Sequence, residues 1–322
     1  MAKPEIIPPP QEQAVDRFHG GSAFLKLQPG ETVQVRSEAE ILTTLDEDLS
    51  LDALPFTPEM RKYCGGNYRI LKKVKKIIVE GRSGLRRMRN AVILDGVTCD
   101  GSAHEGCQYT CQLIWREQWL KPPQNVAPTD DRPANPGWPA TRHPVSSDGP
   151  FVCQSTSLFG ASSPLPFWNI DQYFWDIQER ILRPRILART WFIISYNKIR
   201  HRFGLKKRYL FHGQCKTTPT SSLNLQPGEL VQVKSREQIA ATLDRRGRNR
   251  GLGFTQEMLS CCDKRYRVLK RMDRMIVETT GKMKEMADTV LLEGAICDGC
   301  AHFNCHRGCR SLWKEIWLER VQ

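Results

Sequence analysis

The sequence contains no run of about 18 apolar residues, the length that a helix needs to cross a bilayer. Its first residues run from Met1 into the prolines at positions 8–10, without the apolar core of a secretory signal. A P-loop, the dinucleotide-binding glycine fingerprint, the H-E-x-x-H pattern and the G-x-S-x-G pattern are also missing. We therefore expect a cytoplasmic protein, at most peripheral to a membrane. Since no catalytic motif is present, the sequence leaves open whether the protein is an enzyme.

The composition is that of a globular protein, with 40% apolar and 26% charged residues. The length of 322 residues predicts two domains, at about 150 residues for each domain. In a reducing cytoplasm, metal ligation explains the 12 cysteines better than a disulfide framework does.

Two cysteine-rich motifs recur in register. Residues 99–111 read Cys-Asp-Gly-Ser-Ala-His-Glu-Gly-Cys-Gln-Tyr-Thr-Cys, and residues 297–309 read Cys-Asp-Gly-Cys-Ala-His-Phe-Asn-Cys-His-Arg-Gly-Cys. Three thiols and one imidazole occupy equal positions, and these are the donors that a tetrahedral zinc ion prefers. The motifs therefore predict two zinc ions per chain. The predicted ligands are Cys99, His104, Cys107 and Cys111 in the first motif, and Cys297, His302, Cys305 and Cys309 in the second.

A zinc ion with four protein donors has no open position for water or substrate, which favours a structural role over a reactive centre. The second motif has two further donors, Cys300 and His306, where the first has Ser102 and Gln108. Unmatched donors of this kind are more often spare polar residues of a loop, although they also allow a different coordination in the second copy. Cys153 is isolated in the sequence and supports no assignment.

An iron–sulfur cluster is the alternative cofactor. The Cys-Asp-Gly-Ser-Ala-His stretch of the first motif resembles the Cys-Asp-Gly-Ser-His signature of small iron–sulfur proteins, whose clusters are bound by three cysteines and one histidine. The present sequence departs from that signature, because an alanine is inserted and no Cys-x-Cys pair precedes either motif.

The two motifs belong to a tandem duplication. Residues 25–31 match residues 223–229, and the same offset of 198 positions relates Phe56 to Phe254 and Trp119 to Trp317. An ungapped self-match of this length indicates two copies of one small domain. The predicted organisation is a disordered arm at 1–24, repeats at 25–120 and 223–322, and a linker with a basic helical segment at 121–222.

Each repeat has the pattern of short strands with one small helix. Ser37 followed by Glu40 forms a capping box, which predicts that a helix begins there. A strand is predicted from Tyr68 through Val79, followed by a return strand at residues 92–94. We therefore predict an α+β fold with two tandem SH3-like β-barrel repeats.

The middle of the chain is strongly basic. Residues 180–216 contain eleven lysines and arginines and no acidic residue, which predicts attraction to an anionic partner. Nucleic acid and an acidic membrane surface both fit, since aromatic residues are interspersed. Alternatively, the basic face is merely solvated. The predicted anion-binding residues are Arg189, Lys198, Arg200, Arg202, Lys206, Lys207 and Arg208.

The middle is also rich in tryptophan, at Trp168, Trp175 and Trp191. Two barrels with terminal Cys/His loops around such a middle resemble a set of uncharacterised bacterial proteins. The resemblance covers nearly the whole chain and implies a bacterial source. It implies no activity and transfers no catalytic residue.

Two functions follow from these observations. The first is a zinc-stabilised binding or scaffold protein that engages an anionic macromolecule through its basic middle. The alternative is an enzyme of specialised or glycan metabolism, with a pocket between the repeats, either with or without a dependence on a metal or an iron–sulfur cluster. A protein partner and a small-molecule ligand are compatible with both.

Overall fold

The structure is a computed structural model that describes residues 27–82, 84–123, 150–166, 168–178, 192, 195–196, 199–200, 202–203, 211–299 and 304–321. The arm predicted at residues 1–24 and most of the predicted linker lie outside these ranges. Within them the chain is mostly β-sheet, with few helices.

The strands are β1 Thr32–Val35, β2 Ser50–Leu51, β3 Leu54–Pro55, β4 Asn67–Lys73, β5 Lys76–Ile77, β6 Leu85–Arg87, β7 Ala91–Thr98, β8 Gln112–Arg116, β9 Leu120–Lys121, β10 Ser163–Leu165, β11 Leu230–Val233, β12 Arg248–Asn249, β13 Leu252–Gly253, β14 Arg265–Arg271, β15 Arg274–Ile276, β16 Met283–Glu285, β17 Thr289–Ile296, β18 Arg310–Lys314 and β19 Leu318–Arg320. The α-helices are α1 Glu38–Leu42, α2 Gln154–Ser157, α3 Asp171–Gln178 and α4 Arg236–Ala240. Short 3₁₀ helices lie at Pro58–Tyr63, Glu117–Trp119, Glu257–Cys261 and Glu315–Trp317.

The first repeat is built on an antiparallel five-stranded sheet in the order β8-β7-β4-β1-β9. Its two edge strands, β8 and β9, are separated along the chain only by the 3₁₀ helix Glu117–Trp119. The connecting residues reach about 14 Å when fully extended. A flat five-stranded sheet would place its edges about 19 Å apart. The sheet therefore curls until its edges approach each other.

The second repeat has the same strand order, β18-β17-β14-β11-β19, and the 3₁₀ helix Glu315–Trp317 again separates its edge strands. The shift in strand register also occurs at the same place in both sheets. The register shifts between Ile70 and Lys72 in the first sheet, and between Val268 and Lys270 in the second. The two curled sheets agree with the prediction of two barrel-like repeats.

The predicted capping box is confirmed. The Ser37 hydroxyl accepts a hydrogen bond from the Glu40 amide at 3.3 Å, and the Glu40 carboxylate accepts from the Ser37 amide at 2.7 Å. These two bonds satisfy amides that have no partner within the helix, so α1 begins at this point. Ser235 and Gln238 form the same pair at the start of α4.

Aromatic residues form the centre of each core. Phe56 and Trp119 meet edge to face at 5.5 Å, and Phe254 and Trp317 repeat this contact at 5.2 Å. The indole nitrogen of Trp119 donates to the Thr44 hydroxyl, so burial leaves no polar group of this ring unsatisfied. Each repeat thus has a core of its own.

The strand predicted from Tyr68 through Val79 is shorter than expected, because β4 ends at Lys73. The chain then leaves the main sheet, and β5 pairs with its own return strand β6. β6 also pairs with β10, which belongs to the middle of the chain. The middle segment is therefore part of the first repeat's structure and does not merely connect the repeats.

A buried polar cluster joins both repeats to the middle segment. Asp176 of α3 accepts hydrogen bonds from Lys76 Nζ at 2.7 Å and from the side-chain nitrogen Nδ2 of Asn304 at 2.9 Å, and it lies 3.3 Å from His306 Nε2. Lys76, Asp176 and His306 are each at most 1% exposed. These contacts outweigh the effect of burial and hold the pKa of Asp176 below its usual value.

No helix within the described ranges combines the length and the apolar character that crossing a bilayer requires.

We expect Asp176→Asn to lower the free energy of unfolding by about 3 kcal/mol, because it leaves the buried Lys76 ammonium without a carboxylate. Urea denaturation of the full-length protein measures this loss. Asp171→Asn is the matched control, since Asp171 is exposed in the first turn of the same helix. Equal stabilities for the two variants would contradict the prediction.

Candidate metal centre between the repeats

The Cys/His loops connect equivalent strands in the two repeats, β7 to β8 in the first and β17 to β18 in the second. The Cys99 amide donates to the Cys111 carbonyl at 2.8 Å, and Cys297 and Cys309 form the same bond at 2.8 Å. Each loop is therefore closed at its base, and its first and last predicted ligands are neighbours.

A glycine is required inside each loop. Gly101 and Gly299 have φ angles of +77° and +75°, in the left-handed region that side chains rarely adopt. A Cβ atom at Gly101 would also collide with the Cys107 backbone, and one at Gly299 would collide with the Cys305 backbone. The Cys-Asp-Gly start of both motifs therefore serves the folding of the loop.

The first loop docks on the second repeat. The Ile276 amide of β15 donates to Cys107 Sγ at 3.5 Å, and the Gln108 amide donates to the Arg274 carbonyl at 3.2 Å. The Gln108 side-chain oxygen accepts from the amides of Asp273 at 2.5 Å and Arg274 at 3.1 Å. This loop thus belongs to one repeat by sequence and contacts the other.

The second loop makes the same contacts in the opposite direction. The Ile78 amide donates to Cys305 Sγ at 3.3 Å, and the His306 amide donates to the Lys76 carbonyl at 2.9 Å. His306 Nδ1 accepts from the Lys75 amide at 3.3 Å, as the Gln108 oxygen does in the first loop. The two repeats are therefore related by reciprocal exchange of their loops.

An ion pair strengthens this interface. Arg307 of the second loop makes a two-pronged contact with Glu278, at 2.9 and 2.7 Å. It also donates to the Ile78 carbonyl of the first repeat at 3.2 Å, and Glu278 accepts from the Glu80 amide of that repeat at 2.8 Å. Both side chains belong to the second repeat and are largely buried, so the pair presents one donor and one acceptor to the first repeat.

A cavity of about 380 Å³ opens between the two repeats. Apolar side chains contribute to its wall, among them Met258, Met275 and Ile276. Cysteines of both Cys/His loops and of the middle segment also line the cavity. The cysteines that line it are Cys99, Cys107, Cys111, Cys153, Cys297, Cys305 and Cys309.

One group of metal donors among the described residues consists of Glu59, Cys99 and His104. Their donor atoms all lie within 4.8 Å of one another. His104 Nδ1 lies 3.3 Å from Glu59 Oε1, and the Cys99 thiol donates to the same oxygen at 3.1 Å. His104 Nε2 donates to the Val152 carbonyl at 3.1 Å.

Burial favours the protonated form of three thiols at this site. Burial raises the pKa of Cys111 to about 12 and also raises the pKa values of Cys99 and Cys297. A metal ion would therefore have to displace their protons. Burial opposes ionisation of Glu59 and His104 as well. Their mutual hydrogen bond and attraction nevertheless outweigh it, lowering the pKa of Glu59 and raising that of His104.

The cavity brings most of the predicted ligands together. Its lining includes His104 and six predicted cysteine ligands, three from each copy. Among the described residues, only Glu59, Cys99 and His104 form a group within metal-ligand reach. His302 lies outside the described residues. The two four-donor sets, and zinc as the ion, therefore stay predictions.

Three residues of this region were not recognised as functional in the sequence. Glu59 is repeated as Glu257, and both are buried in 3₁₀ helices of their repeats, so its recurrence was the available signal. His306 is buried against Asp176, so interpreting it as a spare loop residue was wrong. Cys153 lines the cavity although no local pattern marks it.

The predicted anion-binding residues are only partly described. Arg202 is exposed, and the Arg200 guanidinium lies 5.7 Å from the centre of the Tyr196 ring. Phe192 and Phe203 are 72% and 75% exposed. The remaining predicted residues, Arg189, Lys198, Lys206, Lys207 and Arg208, lie outside the described ranges.

Comparison with known proteins identifies no relative of this chain. No protein-family model matches it, and neither a curated protein nor a solved structure shows significant similarity. The function must therefore be argued from the cavity and the loops.

We expect Gln108→Ala to lower the free energy of unfolding by about 1 kcal/mol, because the amides of Asp273 and Arg274 lose their acceptor in the other repeat. Thermal or urea unfolding of the full-length protein measures the change. Gln118→Ala is the matched control, because Gln118 has an exposed side chain in the same repeat. A loss no larger than the control's would show that this contact does not hold the repeats together.

Proposed function

We propose that this chain is a zinc-dependent binding protein, in which each Cys/His loop holds one ion and the cavity between the repeats accepts a ligand. The observation that carries this proposal is the convergence of equivalent thiols from both copies on one cavity of about 380 Å³. Because equivalent cysteines of both copies line the same cavity, we infer that both copies bind a metal ion there.

The chemistry of the donors supports a soft or borderline metal ion. Thiolates select such ions over magnesium or calcium, which prefer oxygen ligands. The amides of Ile276 and Ile78 donate to the sulfur atoms of Cys107 and Cys305. Surrounding groups of this type orient ligands and tune a metal centre. An iron–sulfur cluster is the alternative, since cysteine thiolates also bind such clusters.

The cavity is large enough for a small molecule, because ligand pockets are typically about 300 to 1,000 Å³. Its walls combine apolar side chains with the charged pair Arg307 and Glu278. An enzyme with its pocket between the repeats would use the same space. A metal-dependent form of that enzyme would need an ion with an open coordination position, which four protein donors would not leave.

We also assign each repeat to the SH3-like barrel class. The supporting features are an antiparallel five-stranded sheet and a 3₁₀ helix between its last two strands. In a small barrel with a limited core, a metal ion that closes the last loop contributes stability directly.

We expect anaerobically purified full-length protein to contain about two zinc ions per chain, and Cys99→Ser and Cys297→Ser to retain about one each. Elemental analysis measures the ions. Chelation is expected to lower the melting temperature, because loss of the ions leaves the loops without their cross-links.

Cys64→Ser is the control, because Cys64 packs against the core of the first repeat and does not line the cavity. Wild-type protein without bound metal would refute the proposal. A brown protein with visible absorption would instead support the iron–sulfur alternative.

A second candidate function is binding of an anionic macromolecule through the basic middle. It is favoured by exposed Phe192, Ile199 and Phe203 next to Arg200 and Arg202. Exposed aromatic residues beside arginines fit stacked bases of single-stranded nucleic acid and also fit a membrane interface. Both partners are anionic, so both would respond to salt.

If this candidate is correct, replacing Arg200 and Arg202 by Ala weakens binding and lowers the slope of log K against log salt by about two, because two phosphate contacts are lost. Titrations with single-stranded DNA and with phosphatidylserine vesicles at several salt concentrations measure this. Alanine substitution of Arg245 and Arg246 is the control, since both are exposed in the second repeat. An identical slope in both double variants would argue against the basic middle.

A further inference from the structure

The middle of the chain fills a groove on the first repeat. Residues 154–165 contact β3, β6 and β8, and their last part is β10, which adds a third strand to the pair formed by β5 and β6. Leu158 and Ala161 of this stretch are buried in the core of the first repeat. We call residues 154–165 the covering segment, because they close this face of the repeat.

Hydrogen bonds hold the covering segment near both of its ends. The Gln154 side chain accepts from the Ile114 amide at 2.8 Å and donates to the carbonyls of Ile114 at 2.9 Å and Pro55 at 3.1 Å. Further along, Arg86 of β6 donates to the Ser162 hydroxyl at 2.8 Å. The groove therefore binds the segment through its backbone groups and through one basic side chain.

The second repeat has the same strands but no such cover among its described residues. β16, the equivalent of β6, pairs there only with β15. Three residues that are buried in the first repeat have half-buried equivalents in the second. The pairs are Leu54 and Leu252, Leu85 and Met283, and Ile114 and Leu312. An edge strand such as β16 offers amides and carbonyls to an added strand.

The uncovered face of the second repeat contains a cavity of about 280 Å³, which we call the open groove. Leu252, Lys284 and Lys314 are among the residues that line it. Lys284 occupies the position of Arg86, so it can donate to a bound chain as Arg86 does. Leu252 also lines the cavity between the repeats, so the open groove is continuous with that interface.

We propose that the second repeat binds an extended, uncharged segment of a partner protein in the open groove, as the first repeat binds the covering segment. The partner segment adds a strand to β16, and main-chain hydrogen bonds provide its affinity. A side-chain amide of the segment bonds the backbone of Gly253 and Leu312, the equivalents of Pro55 and Ile114. This interaction goes beyond the proposed metal-dependent function and requires no bound ion.

The charges of the open groove fit an uncharged occupant. Its lining combines the cations of Arg250, Lys284 and Lys314 with the carboxylates of Glu285 and Asp288. The two signs largely balance, so an acidic or basic segment would meet like charges as well as opposite ones. The covering segment, whose place the partner takes, contains no charged residue.

The test adds an N-acetylated peptide of residues 154–166, labelled with a fluorophore at its C-terminus, to the full-length protein. Fluorescence anisotropy should show saturable binding of about one peptide per chain, because the covering segment already fills the first groove. Hydrogen exchange locates the bound peptide. Residues 283–285 should exchange more slowly in its presence, whereas exchange at residues 85–87 should not change.

Substitutions on both sides test the contacts. Gln154→Ala in the peptide should weaken binding by about 10-fold or more, because the hydrogen bonds of its side-chain amide are lost. Ser163→Ala in the peptide is the matched control, since Ser163 is exposed. In the protein, Lys284→Ala should weaken binding by about 5-fold, because a donor to the bound chain is lost. Lys282→Ala is its control, since Lys282 is exposed just before β16.

Absence of saturable binding would overturn the proposal, as would equal affinities for the substituted pairs and their controls. Light scattering and hydrogen exchange of the protein without peptide provide a further check. A dimer in which residues 283–285 are already protected would show that a second copy of this chain occupies the groove, and the partner assignment would be wrong. Metal content is measured separately, so failure of this proposal would leave the proposed function intact.

Discussion

The structure depends on the reciprocal exchange of two loops. Each loop is covalently part of one repeat, yet its central cysteine accepts an amide hydrogen bond from the other, at Cys107 and at Cys305. Each loop gains this hydrogen bond only when the opposite repeat is folded and docked. The docking of the two repeats and the position of their loops are therefore coupled. The exchange also explains why cysteines nearly two hundred residues apart line one cavity.

The middle segment breaks the symmetry of this arrangement. Val152 and Ser155 contact the first loop, whereas Asp176 contacts the second through His306. The equivalent of His306 is Gln108, which bonds Asp273 and Arg274 of the second repeat and has no acidic partner in the described part of the middle. One loop thus borders a thiol and the other a buried ion pair, so two nearly identical sequences acquire different surroundings. The two repeats have the same fold, but the middle segment makes different contacts with their Cys/His loops.

Much of the local structure could be predicted from the sequence. The capping box at Ser37, the equal copies and the Cys/His loops are encoded by residues a few positions apart, so pattern and spacing indicate them. The contacts between repeats and with the middle segment were not predictable in this way. Lys76 binds the carboxylate of Asp176, 100 residues later, and the Ile78 amide donates to the sulfur of Cys305, 227 residues later. No local periodicity encodes such pairs, because the docking of two complete folds creates them.

The pairing of equivalent residues has a consequence for the origin of the chain. Contacts that run from Cys107 to Ile276 and back from Cys305 to Ile78 form an isologous interface, the kind that two identical subunits make around a two-fold axis. A shorter ancestor with a single repeat would have met a second copy of itself through the same surface. In a single polypeptide the two halves need not be self-complementary, so glutamine at position 108 can stand opposite histidine at position 306.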